Sequence, residues 1–100
     1  MNEPGRLPVN YEELELRVLD VLKRIDTGEL PLTYHGEEDF LCRYSTPNGW
    51  KFVVFDDAAE WDYFDSLTTP EGEVYRYDDI VAHMPRVKYY EPPDPRIWSF

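Results

Sequence analysis

Five carboxylates fall within ten residues of this chain, Asp56, Asp57, Glu60, Asp62 and Asp65, and Trp61, Tyr63 and Phe64 are set among them. Residues of these types at this spacing admit three kinds of chemistry. Two carboxylates held in unlike environments can divide the roles of acid and base and hydrolyse a glycoside. Several carboxylates on one loop can hold a hard cation. Carboxylates interleaved with rings can form a rigid anionic surface that docks a cationic partner.

The first two options fit poorly. No pair is marked out by its surroundings, and 100 residues are few for a sugar-sized cleft. The Asp56, Asp57, Glu60, Asp62 spacing lacks the central glycine of a calcium loop, and Mg²⁺ usually borrows ligands from phosphate. His35 and His83 are remote from one another and have no Cys or Asp spacing suited to zinc. Cys42 is the single cysteine and excludes an internal disulfide. No serine lies in a nucleophile elbow and no glycine-rich phosphate loop is present. The sequence therefore predicts no enzyme, no cofactor and no metal.

Charge supports the third option. The formal net charge is −11, and residues 55–79 hold nine carboxylates against Arg76 alone, a local net of −8. Such a chain repels nucleic acid and anionic membranes and attracts basic proteins or ribonucleoprotein complexes. No apolar run reaches the roughly 20 residues of a membrane span and no signal-like segment follows Met1, so the expected location is the cytoplasm of a bacterium or a phage-infected host. With 42% hydrophobic residues the chain is too apolar for a disordered acidic tail.

The elements that must position these acids follow from periodicity. Residues 1–9 read as an extended lead-in broken by Pro4, Gly5 and Pro8. Asn10 is a helix cap with Glu13 placed for a capping box, and Val9 and Leu14 hold the staple positions. Leu14, Val18, Val21, Leu22 and Ile25 make one helical stripe that Gly28 ends. After a loop containing Tyr34-His35-Gly36 the period falls to two. Four strands are expected: Phe40–Tyr44, Trp50–Phe55, Trp61–Thr68 and Glu73–Tyr77. Turns lie at Thr46-Pro47-Asn48-Gly49 and Pro70-Glu71-Gly72, and Asp56 to Glu60 form a short acidic connection. Asp78 or Asp79 is set to cap a short second helix through Ile80, Val81 and Met84. The segment 86–100 reads as an extended Pro/aromatic tail whose Ile97, Trp98 and Phe100 must dock on the body or on a partner. The whole is a single α+β domain, one helix on a four-stranded antiparallel meander.

Simple alternation places Trp61, Tyr63 and Asp65 on one face of the third strand and Asp62, Phe64 and Ser66 on the other. The partner-binding residues expected are Asp56, Asp57, Glu60, Trp61, Asp62, Tyr63 and Asp65, with Trp50 and Tyr75 as further aromatic anchors. The corresponding function is a non-enzymatic inhibitor that imitates phosphates towards a basic nucleic-acid-handling complex, such as a CRISPR surveillance assembly. An immunity protein that neutralises a basic toxin is the alternative, and a housekeeping scaffold whose acidity serves solubility is the third.

The segments Gly49-Trp50-Lys51-Phe52, Phe55-Asp56-Asp57, Glu60-Trp61-Asp62-Tyr63, Asp65-Ser66 and Pro70-Glu71-Gly72 resemble the core of a small uncharacterised family common in pseudomonads. Its members place a similar helix before a strand, an Asp-Tyr-x-Asp-Ser-like segment and a Pro-acid-Gly turn. The resemblance covers about half the chain and implies the α+β fold without implying an activity.

Overall fold

The computed structural model describes residues 9–57 and 60–98, apart from the side chains of Asp57 and Glu60. Helix α1 spans Tyr11–Asp26. Its start follows from Asn10, whose Oδ1 accepts the Glu13 backbone N–H at 3.1 Å and satisfies one of the first-turn donors. Gly28, at φ +79°, turns the chain out of the helix, and the Leu30 N–H closes back on the Arg24 carbonyl at 3.0 Å. The predicted stripe Leu14, Val18, Val21, Leu22 and Ile25 is buried throughout.

Five strands follow, β1 Thr33–Glu38, β2 Leu41–Ser45, β3 Lys51–Asp57, β4 Glu60–Thr68 and β5 Val74–Arg76, paired antiparallel in chain order. The sheet thus has one strand more than its sequence predicts. Thr33–Glu38 lacks alternating apolar residues because it is an edge strand. Its ladder is broken between Tyr34 and Gly36, and Glu37 and Glu38 charge its exposed end, which protects the edge from further pairing. The expected acidic connection also proves shorter, since β3 runs on through Asp56 and Asp57 and β4 begins at Glu60.

The two turns at the other end of the sheet are built alike. Thr46-Pro47-Asn48-Gly49 joins β2 to β3, and Thr69-Pro70-Glu71-Gly72 joins β4 to β5. In each, the glycine N–H donates to the threonine carbonyl, at 3.1 and 2.9 Å, and the threonine hydroxyl accepts the N–H of the residue after the glycine, at 3.2 Å. Both glycines have positive φ, +100° and +89°. The turns touch, because a Cβ on Gly49 would come within 3.2 Å of Pro70 Cβ. Arg17 of α1 holds them from above. Its guanidinium lies 5.2 Å from the Trp50 ring centroid and forks onto the Glu71 carboxylate at 2.9 and 3.2 Å.

Helix α2 covers Tyr77–His83 and helix α3 Pro85–Lys88, and a 3-10 turn spans Pro95–Trp98. Neither predicted cap of α2 holds, since the helix already begins at Tyr77 and Arg76 takes the cap position. Asp79 lies in the first turn instead and accepts the Arg76 N–H at 3.2 Å. The tail is not extended. Glu15 is buried in α1 and receives the Arg86 backbone N–H at 2.9 Å and the Arg86 Nε–H at 3.1 Å, which fixes α3 against α1. Trp98 is 3% exposed. Its ring meets Tyr44 at 5.2 Å, Trp61 at 5.0 Å and Phe64 at 5.8 Å, and its carbonyl accepts the Tyr44 hydroxyl. Ile97 packs against the same core, so the apolar cost that Ile97 and Trp98 would carry in water is relieved within the chain, while Phe100 lies outside the described residues.

Core residues of α1, α2, α3 and the 3-10 turn join Cys42, Tyr44, Phe52, Val54, Phe64 and Leu67 in one cluster on a single face of the sheet. No helix is long and apolar enough to cross a membrane among the described residues.

Two outcomes are expected from this packing. Gly49→Ala should destabilise more than Gly72→Ala in chemical denaturation, by about 1 kcal/mol or more. Both meet the positive-φ penalty, but only the first also presses on Pro70, whereas nothing lies near a Cβ at Gly72. Trp98→Ala should cost about 3–5 kcal/mol by the same measurement, as for other buried aromatic truncations.

Candidate functional site

The register between β3 and β4 decides where each acid goes. Val53 pairs with Ser66 and Val54 with Phe64, so Asp65 is an extra residue. Phe55 pairs with Tyr63 and Asp56 with Trp61, so Asp62 is another. Each is a β-bulge, where two residues of one strand oppose one of its neighbour and the alternation of faces resets. Trp61, Phe64 and Leu67, three apart in sequence, therefore all turn to the helix side. The Trp61 ring stands 4.9 Å from Phe64 and 5.9 Å from Tyr90.

This corrects the expected faces of the strand. Trp61 and Tyr63 do not share a side. Trp61 belongs to the core layer, as do Trp50 and Tyr75, which are 3% and 7% exposed and cannot anchor a partner. Asp56 is corrected too. It alternates inward with Phe52 and Val54, is 8% exposed, and lies 3.7 Å by Oδ2 from the Cys42 thiol that donates to it. Burial first, then the charges of Asp56 and Glu37, push the Cys42 thiol up to about 11. Cys42 is therefore a protonated, enclosed small core side chain at neutral pH and no nucleophile.

Among the described residues the opposite face of the sheet has no buried side chain. Leu41, Arg43 and Ser45 of β2, Lys51, Val53 and Phe55 of β3, and Tyr63, Ser66 and Thr68 of β4 are all half-buried or exposed. Val74 at the β5 edge is 53% exposed and Phe40, before β2, is 59% exposed. The helices pack on the other side, with Tyr77 at the start of α2 reaching round to this one, and the rest of the face is uncovered among the described residues.

A row of rings crosses it. Phe40 meets Phe55 at 6.3 Å, Phe55 stacks on Tyr63 at 5.2 Å with planes 9° apart, and Tyr63 meets Tyr77 at 4.8 Å. The two bulges set Asp62 and Asp65 beside Tyr63 on this same side. Burial foremost, then the charges of Asp62, the Tyr77 phenol and Asp65, raise the Tyr63 phenol above its ordinary value. Neither aspartate makes an ion pair among the described residues.

Of the seven predicted site residues, the structure brings Asp62, Tyr63 and Asp65 together and turns Asp56 and Trp61 inward. Asp57 and Glu60 form the last pair of the β3–β4 hairpin, and their side chains lie outside the described residues. Phe40, Phe55 and Tyr77 were not among the predicted site residues. The signal for Phe55 was its place two residues beyond Val53 on the polar side of β3. Phe40 and Tyr77 sit at element ends where alternation gives no face. The face is not uniformly acidic, since Arg43, paired with Glu38 at 3.2 Å, lies in the Val53–Ser66–Arg76 row and Lys51 in the next. One end is aromatic and anionic, the other cationic.

Among the described residues no group of His, Cys, Asp or Glu could hold a metal ion. What the face offers is ring surface, two carboxylates and their hydrogen-bond acceptors.

Replacing both Asp62 and Asp65 by Asn should bring the Tyr63 phenol part of the way down towards its ordinary value near 10. Two anions that oppose formation of the phenolate are then gone, while burial still holds it up. Ultraviolet titration of tyrosinate, compared with a Tyr63→Phe reference, reads the change.

No protein-family model, curated protein or solved structure matches this chain, so the reading of the site stands on its own geometry.

Proposed function

We propose that the open sheet face is a docking surface for a basic polypeptide, and that the protein acts by binding, as an inhibitor of that partner. The observation that carries this is the ring row Phe40–Phe55–Tyr63–Tyr77 on the open sheet face, with Asp62 and Asp65 at the bulges around Tyr63 and in no ion pair among the described residues. Rings supply area that gains from losing water, of the order of 25 cal/mol per Å². Carboxylates at their margin speed encounter with a cationic partner and fix its register. The net charge of −11 extends that attraction beyond the contact itself.

Arg43, Lys51 and Arg76 refine the kind of partner. A pure imitation of a phosphate backbone would place acids along the whole face, whereas here the sign reverses across it. A folded protein surface with a basic patch next to an acidic one fits this better than a nucleic-acid groove. That favours neutralisation of a basic protein, a toxin or a subunit of a nucleic-acid-handling complex, over occupation of a phosphate channel.

The test uses two charge-reversed baits of equal net charge, since each change carries the chain from −11 to −7. Asp62→Lys/Asp65→Lys alters the open face, and Glu12→Lys/Asp20→Lys alters exposed positions of α1. A Lys/Arg-rich partner held by the wild type should lose about tenfold or more in affinity to the first bait and little to the second. Equal losses would show that net charge alone acts. No loss to the first bait would remove the face from recognition.

A further inference from the structure

We infer that the Tyr63 subsite is an arginine site, where a partner's guanidinium lies against the Tyr63 ring and forks onto the carboxylates of Asp62 and Asp65. This rests on the docking reading above and names the side chain that the face selects.

The chain holds its own basic side chains against rings in two ways. Arg17 lies over Trp50 and at the same time forks onto Glu71 with two bonds, 2.9 and 3.2 Å, so ring and carboxylate act together on one planar cation. Lys88 sits 4.4 Å from the Tyr89 ring centroid and uses the ring alone. The open face repeats the first arrangement, a ring with carboxylates at its margin, without a cation among the described residues. Arg76 faces Ser66 across the β4–β5 pair and makes no ion pair with either aspartate.

Geometry favours arginine over lysine here. A guanidinium is planar, presents donors as a fork matched to carboxylate, and gives up its hydration more readily than an ammonium. It can lie on a ring and reach carboxylates in its own plane at once, whereas an ammonium must choose the direction of its contacts. The bulges hold Asp62 and Asp65 on the side of the sheet that carries the Tyr63 ring, and Phe55 and Tyr77 fix that ring's orientation. The site is therefore built before a ligand arrives, so little ordering is needed on binding.

The test compares nona-arginine with nona-lysine, equal in charge, against the full chain by titration calorimetry. Nona-arginine should bind about tenfold more tightly. Tyr63→Leu should bring the ratio near one, Tyr63→Phe should retain it, and Asp62→Asn/Asp65→Asn should weaken both peptides. Independently of any variant, the arginine δ-methylene protons should shift upfield in the bound state from the ring current. Equal affinities, or a ratio that survives Tyr63→Leu, would overturn the arginine site while leaving a basic partner in place. Unshifted δ-methylene protons in the bound peptide would do the same. Failure of both peptides to bind would overturn this inference and the docking reading together.

Discussion

The pairing of β4 with β3 is the constraint on which the rest of the structure depends. A regular nine-residue strand from Glu60 to Thr68 would alternate faces, and Trp61 would then oppose Phe64 across the sheet. The two bulges at Asp62 and Asp65 remove that conflict. They turn three bulky residues, Trp61, Phe64 and Leu67, to one side, and put the extra residues, both short and polar, on the other. Aspartate suits a bulge because its departure from the ladder costs no apolar burial. The acids therefore contribute to the fold as well as to the surface.

The helix side depends on this directly. Trp98 comes from the far end of the described chain into a nest of Tyr44, Phe52, Trp61 and Phe64, and without an inward Trp61 one wall of that nest would be missing. The Tyr90 hydroxyl, bound to Asp26 at 2.5 Å, and the Glu15–Arg86 contact tie the same C-terminal segment to α1. A 100-residue chain has little core to spare, and closing the tail over one face of the sheet enlarges it. Apart from Tyr77, the helical material is spent on that face. Among the described residues the other is left open with rings on it, and exposed apolar surface rimmed by charge supports the docking proposed above.

How far the sequence revealed this depends on the kind of signal. Helix α1 was legible from cap to cap, since Asn10, the apolar stripe and Gly28 are local and agree with one another. Both Thr-Pro-x-Gly turns were legible for the same reason. Strand β1 was not, because an edge strand with polar residues has no period to read. The coiling of 85–98 was hidden by its prolines, two of which, Pro85 and Pro95, open helical turns in place of breaking them. In the candidate site the residue types were legible but their faces were not. Simple alternation set Asp62 on the face opposite Tyr63 and Asp65, whereas the bulges change that register, and Trp61 and Asp56, expected to bind a partner, turn inward. A bulge is set by the partner strand and leaves no mark in the alternation of the strand that carries it.

The surface that results joins three physical properties. Its rings are fixed by mutual contact, its two carboxylates are held beside the central ring without an intramolecular cation among the described residues, and its charge changes sign along the strands. In the proposed docking of a basic partner, steering, anchoring and orientation each fall to one of these. The most direct measurement is a backbone and side-chain NMR titration of the full chain with an arginine-rich peptide. The account predicts shifts concentrated at Phe55, Asp62, Tyr63, Asp65 and Tyr77, with α1 unperturbed. Shifts centred on the acids of α1, or spread evenly over every exposed carboxylate, would contradict it.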